Sequence, residues 1–210
     1  MGGTLRFETT SYPNSNPGDV RRSSRSIGGG WGPFVKIIDA SERSPQYRKA
    51  GYLYGLNAKT GTLARYKVTE ATFGAPILRS GGSRTGYGNF RSLALAYRYR
   101  DGYAGAADVL IGTTFAGGLY LITIPVAGAF SPRLTQLRAS TWNFDDLVVG
   151  RCDNNFSLIA VRSEVDRAFL YRLDTFTGKS SVIRSYGALP TWTPAHSSGI
   201  WAHGTYPSRW

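Results

Sequence analysis

Tyr52-Leu-Tyr-Gly-Leu-Asn-Ala-Lys-Thr-Gly61 returns without a gap as Phe169-Leu-Tyr-Arg-Leu-Asp-Thr-Phe-Thr-Gly178. Between them, Val109-Leu-Ile-Gly-Thr-Thr-Phe-Ala-Gly-Gly118 has the same shape. Each copy is an alternating apolar strand, a polar turn ending in glycine, and a second strand. The second strands read Thr62-Leu-Ala-Arg-Tyr-Lys-Val68, Leu119-Tyr-Leu-Ile-Thr-Ile124 and Lys179-Ser-Ser-Val-Ile183. Alternation puts one face of each strand on a core. The turn glycine supplies the positive φ of a hairpin, and Asn57 or Asp174 opens the turn by bonding its own backbone. A hairpin that recurs signals an array, and repeats decide architecture before any single element does.

An aromatic cluster leading into an apolar strand precedes each hairpin. The copies are Trp31-Gly-Pro-Phe34-Val-Lys-Ile-Ile38, Tyr87-Gly-Asn-Phe90-Arg-Ser-Leu-Ala-Leu95 and Trp142-Asn-Phe144-Asp-Asp-Leu-Val-Val149. Phe34 to Phe90 is 56 residues and Phe90 to Phe144 is 54, so a fourth copy falls due near Gly199-Ile-Trp-Ala202. Four strands in a period of this length describe a propeller blade. Gly3-Thr-Leu-Arg-Phe7 repeats Gly61-Thr-Leu-Ala-Arg-Tyr66, which would be a blade's third strand. The chain then begins in mid-blade, and pairing of N- and C-terminal strands closes the ring and removes its edges. The expectation is an all-β propeller of about four four-stranded blades, with five as the alternative, in a single domain over 1–210. The blades would span about 31–86, 87–140 and 141–192, with a composite blade from 193–210 plus 1–30. First strands are predicted at 34–39, 90–97, 145–150 and 198–203, and residues 3–8 are predicted to pair with the strand containing Trp201.

Composition agrees with short strands and tight turns, with 26 Gly, 13 Tyr, 10 Phe and 5 Trp. No helical apolar period lasts more than two turns, and no apolar run reaches the roughly 18 residues of a membrane-spanning helix. Met1-Gly-Gly-Thr-Leu-Arg-Phe7 lacks the apolar stretch of a signal peptide, so an exported protein would here be in processed form. The single cysteine, Cys152, cannot form an internal disulfide or a thiolate metal site, and reads as a small buried apolar residue. Lys and Arg total 25 against 13 acids, a net charge of +12. That balance suits an anionic partner such as nucleic acid, an acidic glycan or an acidic protein surface. The competing reading is a solvated surface, because the arginines stand singly or in pairs and never in a run.

The run Ser26-Ile-Gly-Gly-Gly-Trp31-Gly-Pro-Phe34-Val-Lys-Ile-Ile38, with Gly51-Tyr-Leu-Tyr-Gly-Leu56 and Gly61-Thr-Leu63 after it, resembles the repeat of the tachylectin-type propeller lectins. Their blades read roughly Gly-Gly-Trp-x-x-Phe, an apolar strand, then Gly-x-Leu-Tyr. In the second copy Tyr87 stands in place of Trp, and the third copy lacks the preceding glycines. The resemblance spans most of the chain as a period and about 20 residues as a sharp motif. It implies a propeller without a cofactor that binds N-acetylated sugars, such as GlcNAc or GalNAc, in pockets between blades. The implied partners are glycans on a cell surface or glycoprotein, and the implied location is extracellular. Similar propellers also serve as targeting modules of larger secreted, toxin-like assemblies. The best-known member has five blades of shorter repeat, so its pocket geometry does not transfer directly.

Catalytic signatures are missing from the sequence. His196 and His203 form no metal-ligand pattern, and there is no Gly-x-Ser-x-Gly elbow or phosphate loop. Gly28-Gly29-Gly30 precedes an aromatic strand and not a helix, so it is a turn. Asp39, Glu42, Asp145 and Asp146 are the carboxylates a propeller glycosidase would need, but no acid recurs in every blade. The expectation is no catalytic residue, no metal and no cofactor. Sugar binding needs a flat apolar surface and planar hydrogen-bonding groups. Each boundary offers such a set: Asp19, Arg22 and Arg25 before Trp31; Arg79 and Arg84 before Tyr87; Arg133 and Arg138 before Trp142; Arg184 and Tyr186 before Trp192. The plainer alternative makes the aromatics core wedges and the arginines solvated. A glycan-binding lectin is the first functional expectation, and a docking scaffold whose basic surface meets an acidic protein is the second. Nucleic acid is disfavoured, because aromatics at strand starts are expected inside and not along an exposed basic groove.

Overall fold

The computed structural model describes residues 3–11, 21–40, 51–57, 59–72, 75–99, 106–152, 155–174 and 181–190. Among these the chain is all-β, its one helical piece being a 3-10 turn at Ser163–Val165. Strands β1 (Leu5–Ser11) and β2 (Arg21–Gly28) pair antiparallel. Three antiparallel meanders of four strands follow. Sheet I is β3 (Phe34–Asp39), β4 (Gly51–Asn57), β5 (Thr62–Thr72) and β6 (Ala75–Thr85). Sheet II is β7 (Phe90–Tyr99), β8 (Ala107–Thr114), β9 (Leu119–Pro125) and β10 (Arg133–Arg138). Sheet III is β11 (Asp146–Cys152), β12 (Asn155–Arg162), β13 (Arg167–Leu173) and β14 (Ile183–Ala188). The strands expected at 34–39, 90–97 and 145–150 are thus present as the first of each meander. The strand expected at 198–203, and with it the pairing partner of residues 3–8, lies outside the described residues.

Sheet II is covered on both faces, which explains why its second strand reads as a continuous apolar run. Leu110, Ile122 and Ile124 face Tyr54, Leu56 and Leu63 of sheet I. Their neighbours Val109, Ile111 and Leu121 face Leu147, Leu158 and Leu173 of sheet III. Alternating residues therefore feed two cores, one on each side of the sheet. The first strands lie side by side, β3 against β7 and β7 against β11. Lys36 on β3 also reaches Asp146 on β11 at 2.8 Å, so one edge of every meander meets the others while β6, β10 and β14 form the opposite edges.

Each meander is entered by one aromatic device. The amide of Trp31 donates to the Gly3 carbonyl at 3.0 Å, that of Tyr87 to Gly61 at 2.9 Å, and that of Trp142 to Gly117 at 2.8 Å. The ring then packs on a phenylalanine that starts or just precedes the first strand: Trp31 on Phe34, Tyr87 on Phe90 and Trp142 on Phe144. A third-strand tyrosine completes the group, with Tyr66, Tyr120 and Tyr171 lying 5.8–6.1 Å from Phe34, Phe90 and Phe144. Edge-to-face packing at these separations adds to the burial of the rings.

Two details of the repeat differ from the sequence expectation. In the second turn the positive φ belongs to Gly117 (78°), not Gly118, in register with Gly61 (61°), so this turn is one residue shorter than the gapless match implied. The Phe169–Gly178 copy is out of phase by a whole strand. Its strand is the third of sheet III, whereas the matching Tyr52 segment is the second of sheet I. The strand from this copy that follows the turn starts at Ile183, not at Lys179, and is the fourth of its sheet. The reason is physical: an alternating strand followed by Asn or Asp and a glycine specifies a hairpin, and a meander contains three of them.

Candidate ligand-binding site

Residues Arg172, Asp174, Arg184 and Tyr186 gather on the outer half of sheet III. In the β13–β14 register Arg172 stands directly opposite Arg184, a like-charge pair that repels unless an acid intervenes. Asp174, two residues beyond Arg172 and so on the same face, supplies that acid. Its carboxylate accepts from Arg172 Nε at 2.6 Å and, through its other oxygen, pairs with Arg184 Nε at 3.2 Å. The hydrogen bond to Asp174, with a further bond to Tyr186, raises the pKa of the Arg172 guanidinium and holds it charged. Tyr186, two residues past Arg184, is 61% exposed. A flat ring, two planar cations and an oriented carboxylate thus share one open surface.

The other predicted residues fall into different settings. Tyr87 and Trp142 are only 4% and 6% exposed, so their ring faces are committed to packing. Burial pushes the Tyr87 phenol above its ordinary pKa, and the nearby Arg84 charge partly offsets this. Trp31 is half-buried, held between Phe34 and Tyr66 at 5.2 and 4.8 Å, beside the exposed Gly29 and Gly30. Arg79 and Arg84 are exposed on β6. Arg138 donates to the carbonyls of Leu137 (2.7 Å) and Ser181 (2.8 Å), which fastens sheet II to sheet III. Arg22 and Arg25 lie on β2, where only the backbone is described, and Cys152 ends β11 under the same condition. Asp19, Trp192, Glu42, His196 and His203 lie outside the described residues.

Two of the carboxylates weighed for catalysis, Asp145 and Asp146, are held by cations. Asp145 pairs with Arg91 and accepts from the Ser163 amide at 2.7 Å, while Asp146 takes Lys36. Among the described residues no cluster of His, Cys, Asp and Glu could hold a metal ion, and no helix is long and apolar enough to cross a membrane.

Sequence reasoning missed the Asp174 clamp, although its signal was present as Arg-x-Asp with a facing arginine ten residues past Asp174. It also missed Arg65 and Asp108, two buried charged residues. Arg65 donates to three backbone carbonyls, and Asp108 accepts from the Tyr54 hydroxyl at 2.6 Å across sheets II and I. No family model matches the chain, and no curated protein or solved structure matches it either.

Proposed function

We propose that the chain is a non-catalytic, exported carbohydrate-binding propeller. In this reading the three meanders are blades, and β1–β2 are the third and fourth strands of a fourth blade completed by residues 193–210. Two observations support that count: the Gly3 carbonyl takes the same bond from Trp31 that Gly61 takes from Tyr87, and the first strands of the meanders lie together. The ligand is an N-acetylated or acidic sugar, recognised at blade edges and met at several sites on a glycan-coated surface.

The observation that carries the reading is the exposed Tyr186 beside the Arg172–Asp174–Arg184 clamp. The C–H face of a pyranose stacks on the phenol, the carboxylate takes hydroxyl protons, and the guanidiniums donate to an acetamido carbonyl or an acid group. One stacked ring with a few hydrogen bonds gives a millimolar to high-micromolar Kd, about −4 to −6 kcal/mol. Repetition around the molecule would raise avidity by roughly 10² or more. A glycan array with native protein and Tyr186→Ala tests this. Binding to GlcNAc-, GalNAc- or acid-terminated glycans is expected, with at least a tenfold loss in the variant at an unchanged melting temperature. A native protein that binds no glycan, or a variant that binds as well, sinks the reading. The rival scaffold reading draws on Phe115, 65% exposed beside Arg91, and the exposed Val165 that follows Glu164, the partner of Arg91. It becomes the better one if the array stays blank.

A further inference from the structure

The strands at one edge of each sheet differ in charge from the remaining strands taken together. The four strands β2, β6, β10 and β14 carry eight arginines and no lysine, aspartate or glutamate. At the chain's overall ratio of 25 cations to 13 acids, eight cations would be accompanied by about four acids. The other ten strands together carry ten cations and five acids, although β7, β12 and β13 among them also hold arginine alone. Edge strands need charge to discourage edge-to-edge pairing, but either sign serves that purpose. Edge protection therefore explains charged edges and not their uniform sign.

We infer that these four strands form a cationic rim for a sulfated or carboxylated polysaccharide. The inference takes its partner class from the glycan-binding reading. Arg79, Arg84 and Arg133 are exposed and, among the described residues, have no hydrogen bond or ion pair of their own, so their donors are free for a ligand. Strand β2 lies beside β6, which makes the rim continuous across that boundary. Guanidinium forks match sulfate and carboxylate oxygens, and Arg79, Arg84 and Arg133 offer this geometry from exposed positions, whereas Arg138 and Arg184 are bonded within the protein. Ser80, Ser83 and Thr85 are exposed between and beside Arg79 and Arg84 and add hydroxyl partners. Single-stranded nucleic acid would need a succession of ring faces for its bases, and with Tyr87 and Trp142 buried the described residues of the rim strands offer one exposed ring, Tyr186.

The experiment measures heparin affinity for three intact proteins across a salt series. These are the native chain, the rim double variant Arg84→Gln/Arg133→Gln, and a control, Lys59→Gln/Arg167→Gln, which removes equal charge from exposed positions off the rim strands. The rim variant is expected to lose at least tenfold in affinity with a shallower salt dependence, and the control less than twofold. Equal losses would show that total charge alone matters, and would overturn the rim. So would native protein that ignores heparin, or that binds single-stranded DNA of matched length more tightly. A neutral GlcNAc oligomer measured alongside separates the two readings: binding to it without heparin binding sinks the rim alone, and failure of both sinks the lectin reading too.

Discussion

At the scale of one residue, Arg65 shows how a charge can serve the core. It is only 4% exposed, and its guanidinium donates to the carbonyls of Gly81, Pro125 and Gly128 at 3.0, 2.9 and 3.1 Å. The rings of Tyr52 and Phe130 lie 4.7 and 5.2 Å from its carbon. Carbonyl dipoles and ring faces thus replace water around the cation and bind sheet I to the end of β9. Arg65→Ala would leave three carbonyls without their donor and is expected to cost about 3–5 kcal/mol. Arg65→Lys should recover less than half, since one ammonium cannot fork to three divergent acceptors. Urea unfolding decides the matter, and a lysine variant as stable as the parent would reduce the role of Arg65 to charge alone. Nothing in Leu63-Ala-Arg-Tyr66 announces this, because two of the three acceptors, Pro125 and Gly128, lie 60 and 63 residues away. Phe34, Phe90 and Phe144 were legible for the opposite reason: what marks them is local and recurs.

Among the elements, hairpin chemistry and strand phase carry different information. The turn glycine and the alternating strand located the β4–β5 and β8–β9 hairpins, whereas the Phe169 copy slipped by one strand because any hairpin satisfies that pattern, and its turn glycine lies outside the described residues. The aromatic entry held the phase, since it sits where one sheet hands over to the next. A finer consequence concerns Gly55 on β4 and Gly112 on β8, which lie against the entry phenylalanines of their own sheets. A Cβ at Gly55 would come within 2.6 Å of the Phe34 ring, which is half-buried and able to turn. At Gly112 it would meet Leu93 Cδ2 at 2.5 Å and the Ser92 carbonyl oxygen at 2.8 Å, and backbone cannot step aside. Gly112→Ala should therefore destabilise by about 1–3 kcal/mol through overpacking. Gly55→Ala should cost clearly less, helped by the smaller entropy of its unfolded chain. Thermal melts of the pair test the difference, and equal losses would show that both sites yield alike.

At the scale of the whole molecule, the question is whether the array closes. Lys36 and Asp146 stand 110 positions apart, yet their 2.8 Å contact joins the first strands of sheets I and III, so the meanders turn back toward one another instead of extending in a line. An open array would leave β1 as an unpaired edge, whereas the proposed composite blade covers it with residues 193–210. Deleting residues 1–8 removes most of β1 and the Gly3 carbonyl that anchors Trp31. A loss of about 3 kcal/mol would lower Tm by roughly 6–12 °C in a chain of this size. That deletion alone does not identify closure, because β2 would lose its partner in either arrangement. Removing residues 193–210 as well makes a thermodynamic cycle. If both segments belong to one sheet, the first deletion already opens it, and the double deletion should cost little more than the larger single one. If they belong to separate structures, the two losses should add to within about 0.5 kcal/mol. Additive melting shifts would therefore rule out the composite blade, while strong non-additivity would require the two ends of the chain to share one cooperative unit.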